Sequence, residues 1–136
     1  MANLIEWSKS LELDIREIDG QHQQLVHLIN ELHNAMIERK SQQVLGDIID
    51  GLIAYTGTHF QTEEKYFAEF EYGETTAHKL THKEFVTKVT AFKKDFEAKK
   101  MMLSMEIMGF LKDWLIQHIM GQDRKYAPLF KSKGLA

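Results

Sequence analysis

Residues Thr75–Phe96 read TTAHKLTHKEFVTKVTAFKKDF. Within them His78, His82, Phe85, Val89, Phe92 and Phe96 advance in strict alternation of four and three, the spacing of one face of an α-helix and never of a strand. The segment is predicted as a helix capped by Thr75 or Thr76, after a break at Glu71-Tyr72-Gly73. Upstream, Ser41 is placed to cap a second helix running to about Phe70, with Leu45, Ile48, Leu52, Tyr55 or Thr56, His59, Glu63 and Phe67 on one stripe. Before it, Asp19 is expected to cap a helix from Gly20 to Arg39 whose stripe holds His22, Leu25, Ile29, Leu32 and Met36. Downstream, a fourth helix begins near Ser104 and carries Ile107, Leu111, Trp114 and His118. Pro128 is expected to end it, and Lys131–Gly134 to fray.

Four amphipathic segments of about 20 residues, each roughly 30 Å long, joined by short connections, describe an all-α, antiparallel up-down-up-down four-helix bundle. Residues 1–18 are too apolar to be solvated, with Leu4, Ile5, Trp7, Leu11, Leu13 and Ile15, and are expected to lie as an extended arm across one bundle end. The bundle then occupies 19–128 and a tail 129–136, in a single domain of 136 residues. One proline in the whole chain agrees with long helices and disagrees with a sandwich or barrel.

Composition excludes several classes of function. With no cysteine there is no disulfide framework, thiolate metal site or thiol nucleophile. A net charge of -3, with acids and bases interspersed, supplies no basic face for nucleic acid or anionic lipid. The first residues carry Glu6, Glu12 and Asp14 among their apolar neighbours, so neither a signal peptide nor a membrane span is expected, and a cytoplasmic location is.

Five of seven histidines, His22, His59, His78, His82 and His118, fall on the inward stripes. One such histidine is ordinary core. Five converging from four helices could not all be satisfied by a backbone already used in helical bonds. His59 and Glu63, and His78 and His82, are i,i+4 pairs able to share an ion. In alternating topology all these positions lie at the same end of the bundle. Asp123 lies five residues beyond His118, about 140° round an ideal helix, so two readings stand. Either it is solvated beside Arg124 and Lys125, or a local widening near Gly121 swings it inward as a π-bulge does. His27 falls off the stripe and is expected at the surface; His33 falls about 16 Å from the cluster, as a core or bundle-end residue. Met101, Met102, Met105 and Met108 read as packing rather than copper ligands.

Five imidazoles and two carboxylates are too many for one ion and suit two, bridged by the carboxylates and by an oxide or hydroxide. The histidines then divide three and two, leaving one ion closed and the other with an open position. Such ligands suit iron, manganese, zinc or copper, and an apolar bundle core admits a small neutral molecule. That combination points to binding of a diatomic gas.

The segments Asp19-Gly20-Gln21-His22, His59-Phe60-Gln61-Thr62-Glu63, His78-Lys79-Leu80-Thr81-His82 and His118-Ile119-Met120-Gly121-Gln122-Asp123, together with the Trp7 arm, resemble the hemerythrin family in its single-domain bacterial type. The resemblance covers nearly the whole chain and fills every ligand position. It implies a non-haem, oxo- or hydroxo-bridged di-iron site with Glu63 and Asp123 bridging. His78, His82 and His118 would hold the closed iron, and His22 and His59 the iron that takes O2. It also implies that Phe60, Trp114, Leu115, Ile119 and Met120 line or flank a dioxygen pocket, where ordinary core packing is the other reading. Tyr126 would be a hydrogen-bond partner near the site.

The expected function is reversible dioxygen carriage, storage or delivery, without enzymatic turnover, by a monomer serving an unidentified oxygen-consuming partner protein. The alternatives are an O2 or redox sensor, and a di-iron oxidase or peroxidase. Oxygen-activating bundles are carboxylate-rich with inward E-x-x-H motifs. Here the one E-x-x-H, Glu74 to His78, has its Glu at a helix start.

Overall fold

The computed structural model describes residues 3–99 and 102–136. Its elements are a short 3-10 turn at Lys9–Leu11, α1 (Arg16–Ile37), α2 (Gln42–Glu69), α3 (Thr75–Glu97), α4 (Met105–Gln117), a π-helical segment at His118–Asp123, and α5 (Arg124–Ser132). The π segment joins α4 to α5 without a break, so four rods run up, down, up and down. Ser41 and Ser104 cap α2 and α4, their hydroxyls accepting from Val44 and Ile107 N–H.

The start of α1 differs from the sequence expectation. The helix begins at Arg16, three residues before the expected cap, and Asp19 lies inside the first turn with Oδ1 accepting from Leu13 N–H at 2.8 Å. Asp19 therefore ties down the arm rather than capping its own helix. The apolar residues Ile15 and Ile18, 1% and 0% exposed, pull this turn inward. Farther up the arm, Asn30 clamps Ile5 from both sides, its Oδ1 accepting from Ile5 N–H and its amide donating to Ile5 C=O, each at 2.9 Å.

The other end of the chain also departs from expectation. Pro128 lies inside α5, exposed to solvent. Its ring costs an i→i−4 bond, about 3 kcal/mol in a helix interior. Tyr126 and Phe130 on the inner face are fully buried and outweigh the loss. The tail is closed rather than frayed: Gly134 takes φ +98°, and Gly134 and Leu135 N–H return to the carbonyls of Lys131 and Phe130. Leu135 then packs on the apolar cluster beneath.

Two apolar clusters form the core. The larger runs through the lower bundle, including Leu25, Leu32, Leu52, Phe85, Phe92, Met108 and Leu115. The smaller caps the upper end with Leu13, Ile15, Ile18, Phe67, Tyr126, Ala127 and Phe130. Of the methionines expected as packing, Met108 is fully buried, whereas Met102 and Met105 are exposed; Met101 lies outside the described residues. No helix among the described residues is long and apolar enough to cross a membrane.

Candidate metal centre

Between the two clusters every helix contributes polar side chains to one buried point. His22 comes from the second turn of α1, His59 and Glu63 from the upper part of α2, and His78 and His82 from the start of α3. His118 and Asp123 bound the π segment. All seven side chains are at most 4% exposed. The π segment resolves the angular problem at Asp123, because an i→i+5 turn returns the fifth residue to the face it started from. His118 Nε2 and Asp123 Oδ1 lie 3.0 Å apart.

The donor atoms form two groups that share Glu63. One holds Glu63, His78, His82 and His118; the other holds His22, His59, Glu63 and Asp123; within each, all ligand atoms lie within 4.8 Å of one another. Glu63 Oε1 stands 3.0 Å from His82 Nε2 and 3.4 Å from His59 Nε2, touching one histidine of each group. Asp123 divides its oxygens: Oδ1 faces His78 at 2.9 Å, and Oδ2 faces His22 at 2.9 Å.

Many of these atoms approach without bonding. His22 Nδ1 and Nε2, His59 Nε2, His82 Nε2, Glu63 Oε1 and both Asp123 oxygens are buried with no hydrogen-bond partner in the protein. Each such orphan costs on the order of 1–3 kcal/mol. The contacts of 2.9 Å are short enough for hydrogen bonds but misdirected, as expected of donors aimed at a common point between them. A cation-binding site accounts for the set, and its all nitrogen and oxygen composition suits iron and its first-row neighbours.

Partners outside the cluster fix which ring nitrogen faces in. Gln21 Oε1 accepts from His59 Nδ1–H at 2.6 Å, leaving His59 Nε2 as a bare acceptor toward the centre. The Gln21 amide is held in turn by donating to Thr62 Oγ1. Glu64 Oε2 accepts from His82 Nδ1 at 2.9 Å, and Thr81 Oγ1 stands 3.4 Å from His118 Nδ1. Tyr126 Oη donates to Glu63 Oε2 at 2.5 Å. Gln21, Glu64 and Thr81 were not singled out from sequence. Each neighbours a ligand in the chain, about 100° round the helix and so turned toward the adjacent helix, and that offset was the available signal.

The electrostatics reflect the crowding of histidines and carboxylates in a buried space. Burial, the dominant influence, drives His59 down to about 4, so it stays neutral. At Asp123 burial works upward, but His118, His22 and His78 outweigh it and hold the carboxyl well below its usual range. Burial also opposes protonation of His22 and His82, yet Asp123 and Glu63 at the first, and Glu63 and Glu64 at the second, raise them above the ordinary value.

Phe60 stacks on His82 at 3.8 Å between centroids, and Trp114 on His118 at 4.4 Å. Leu115 and Ile119 are buried alongside, at 4% and 0% exposure. Met120 does not join them. It is 43% exposed, because the position two residues past His118 lies across the π segment, on the solvent side. His27 is exposed beside Glu31, and His33 is half-buried far from the cluster.

The hemerythrin HHE cation binding domain matches residues 13–130. The chain belongs to the hemerythrin family. It is 34% identical to a bacteriohemerythrin of Stenotrophomonas maltophilia (strain R551-3) over 129 residues, which is 95% of this chain and 83% of the relative. A bacteriohemerythrin of Clostridium acetobutylicum is 33% identical, covering 88% of this chain and 96% of its own. The crystal structure of wild-type hemerythrin superposes with TM-score 0.87 at 28% identity, covering 93% of this chain and 97% of that one. The all-α, four-helix architecture is thus that of solved hemerythrins.

Proposed function

We propose that this hemerythrin binds dioxygen reversibly at a non-haem di-iron centre, as a carrier, store or delivery protein. Two buried donor groups joined through Glu63, with Asp123 offering one oxygen to each side, carry the reading. His78, His82 and His118 would hold one iron, His22 and His59 the other, and Glu63 and Asp123 both. When bound, the iron pair supplies a redox-active site for a neutral diatomic ligand.

The chain's own residues set the conditions for reversibility. Five imidazoles, each neutral when it ligates metal, against two carboxylates would favour the lower oxidation states over the high-valent chemistry of carboxylate-rich oxidases. Gln21, Glu64 and Thr81 keep ring nitrogens directed inward, so little reorganisation accompanies binding. Phe60, Trp114, Leu115 and Ile119 wall the centre with hydrocarbon, which excludes water and anions while admitting O2. Tyr126 holds its proton well above the ordinary phenol range, chiefly through burial and then through Asp123 and Glu63, so it remains a donor to Glu63.

The test is the visible spectrum of ferrous-loaded protein without O2, with O2 and after purging, with iron counted on the same sample. Two irons per chain and a colour that comes and goes with O2 are expected. A colour that stays after purging would overturn reversible carriage and favour the sensor or oxidase alternatives.

A further inference from the structure

Below the metal centre the bundle holds a second, separate space. A partly enclosed cavity of about 200 Å3 is walled by Leu32 of α1, Ile49 and Leu52 of α2, Val89 and Phe92 of α3, and Leu111 of α4. Close backbone approach joins α1 to α2, α2 to α3 and α1 to α4, but α4 makes no comparable approach to α3, and the cavity opens in that seam. Leu52 and Leu111 precede His59 and His118 by seven residues, and Val89 follows His82 by seven. Three helices thus put the cavity about 10 Å along the bundle from the metal ligands. No metal-ligating side chain lines it.

We propose that this cavity is a binding site for one small, uncharged apolar molecule, of the class spanned by xenon and a single aromatic ring. Folded interiors carry few voids larger than a water molecule, so a space of this size forfeits many dispersion contacts that a guest would restore. Water is a poor occupant. The six wall residues offer no polar side-chain atom, and the backbone behind them is already bonded within helices. In another protein a Leu-, Ile- and Phe-lined cavity of roughly 150 Å3 stays dry and takes benzene or xenon. Charged guests are excluded for the same reason as water, more strongly. At the mouth sit Ala91, Asp95 and Lys88, and the Lys88 ammonium is folded over the Phe110 ring at 4.1 Å from its centroid. The alkyl stem of Lys88 thereby adds a hydrocarbon lip, and its charge is engaged by the ring instead of offered to an anion.

The experiment is titration of the iron-loaded, full-length protein with benzene, followed by calorimetry and thermal melting, and with xenon, followed by 129Xe NMR. One saturable site, a melting temperature that climbs with benzene, and competition between the two probes are expected. Leu111→Phe should fill the space and weaken benzene binding by roughly tenfold or more, with iron content and helicity unchanged. Ala91→Trp, at an exposed mouth position with no bearing on folding of the core, should obstruct entry and give the same loss or slower xenon exchange. Absence of saturable binding in the natural chain would overturn the proposal, as would undiminished binding in both variants. Neither result bears on dioxygen binding, whose test is the colour of the iron pair.

Discussion

At the scale of single residues, the centre depends on side chains that lie just outside the donor cluster. Glu64 is the clearest, since its carboxylate accepts from His82 Nδ1 at 2.9 Å and lies 3.9 Å from Lys79 Nζ at the surface. Glu64→Gln keeps the shape and can keep an acceptor, but it removes the negative charge that makes the ring a stronger ligand. Loss of such an outer partner weakens metal binding by about 10- to 100-fold. Competition with a chelator should show that loss, with circular dichroism unchanged; equal affinity would make Glu64 a surface residue only. Tyr126 tests the opposite case, a partner whose removal is felt without metal. Tyr126→Phe leaves Glu63 Oε2 buried and unpaired, at a cost of about 1–3 kcal/mol. Urea unfolding of the metal-free protein should reveal it as a lower midpoint at unchanged slope. These two partners differ in how visible they were beforehand. Tyr126 is expected near the site from resemblance, whereas Glu64 falls one residue off the apolar stripe, and its place beside Glu63 is the one mark the sequence carries.

At the scale of elements, the stripes were legible because burial selects them: His22, His59, Glu63, His78, His82 and His118 each repeat with Leu, Ile or Phe at helical spacing and are buried as those neighbours are. Spacing alone could not decide Asp123, since the answer lay in a π turn that side-chain periodicity does not encode. Gly121 lies in that turn, yet nothing stands within 4 Å of where its Cβ would be, so its part is weak helix preference rather than close packing. The helix ends were the least legible. Pro128 and the tail were misjudged because aromatic burial on the inner face of α5 overrides local preference. The ends of α1, α2 and α3 share one device: Arg39, Glu71 and Lys99 take φ of 56°, 54° and 60°, the left-handed conformation that glycine adopts at lower cost. Arg39 N–H and Lys40 N–H close the turn onto the carbonyls of Met36 and Ala35. Arg39→Gly should therefore relieve strain and stabilise the fold by roughly 0.5–1 kcal/mol, after allowing for glycine's added freedom when unfolded. A fall in melting temperature would show that the Arg39 side chain contributes more than its backbone costs.

At the scale of the whole molecule, the metal centre is a polar layer clamped between two apolar clusters, and the upper cluster gathers Tyr66, Tyr72 and Tyr126 with Phe67, Phe70 and Phe130. That arrangement has a consequence for the four tyrosines. Burial raises Tyr55, and burial followed by Glu74 pushes Tyr72 up to about 12. The hydrogen bond to Glu17, followed by burial, brings Tyr66 to about 12 as well. Tyr126, walled in by Phe67 and Phe130 and facing Asp123 and Glu63, is held well above the ordinary phenol range, chiefly by its burial. A phenol whose folded pKa exceeds its unfolded value of about 10 contributes stability that is complete below that pH and fades as the pH rises through the folded value. The folded protein should therefore ionise its tyrosines later than free phenols do, with Tyr55 shifted upward, a rise near 12 from Tyr66 and Tyr72, and a final step from Tyr126 as the chain unfolds. Denaturant at the same pH should release all four together near 10. Tyr66→Phe should delete one part of the rise near 12 and leave the final step in place, since Tyr66 is half-exposed on α2 while Tyr126 is bonded to Glu63 in the interior. Tyr72 or Tyr126 ionising at its ordinary value in the folded, metal-free protein would mean that the upper cluster is open to water, and the wall above the metal centre with it.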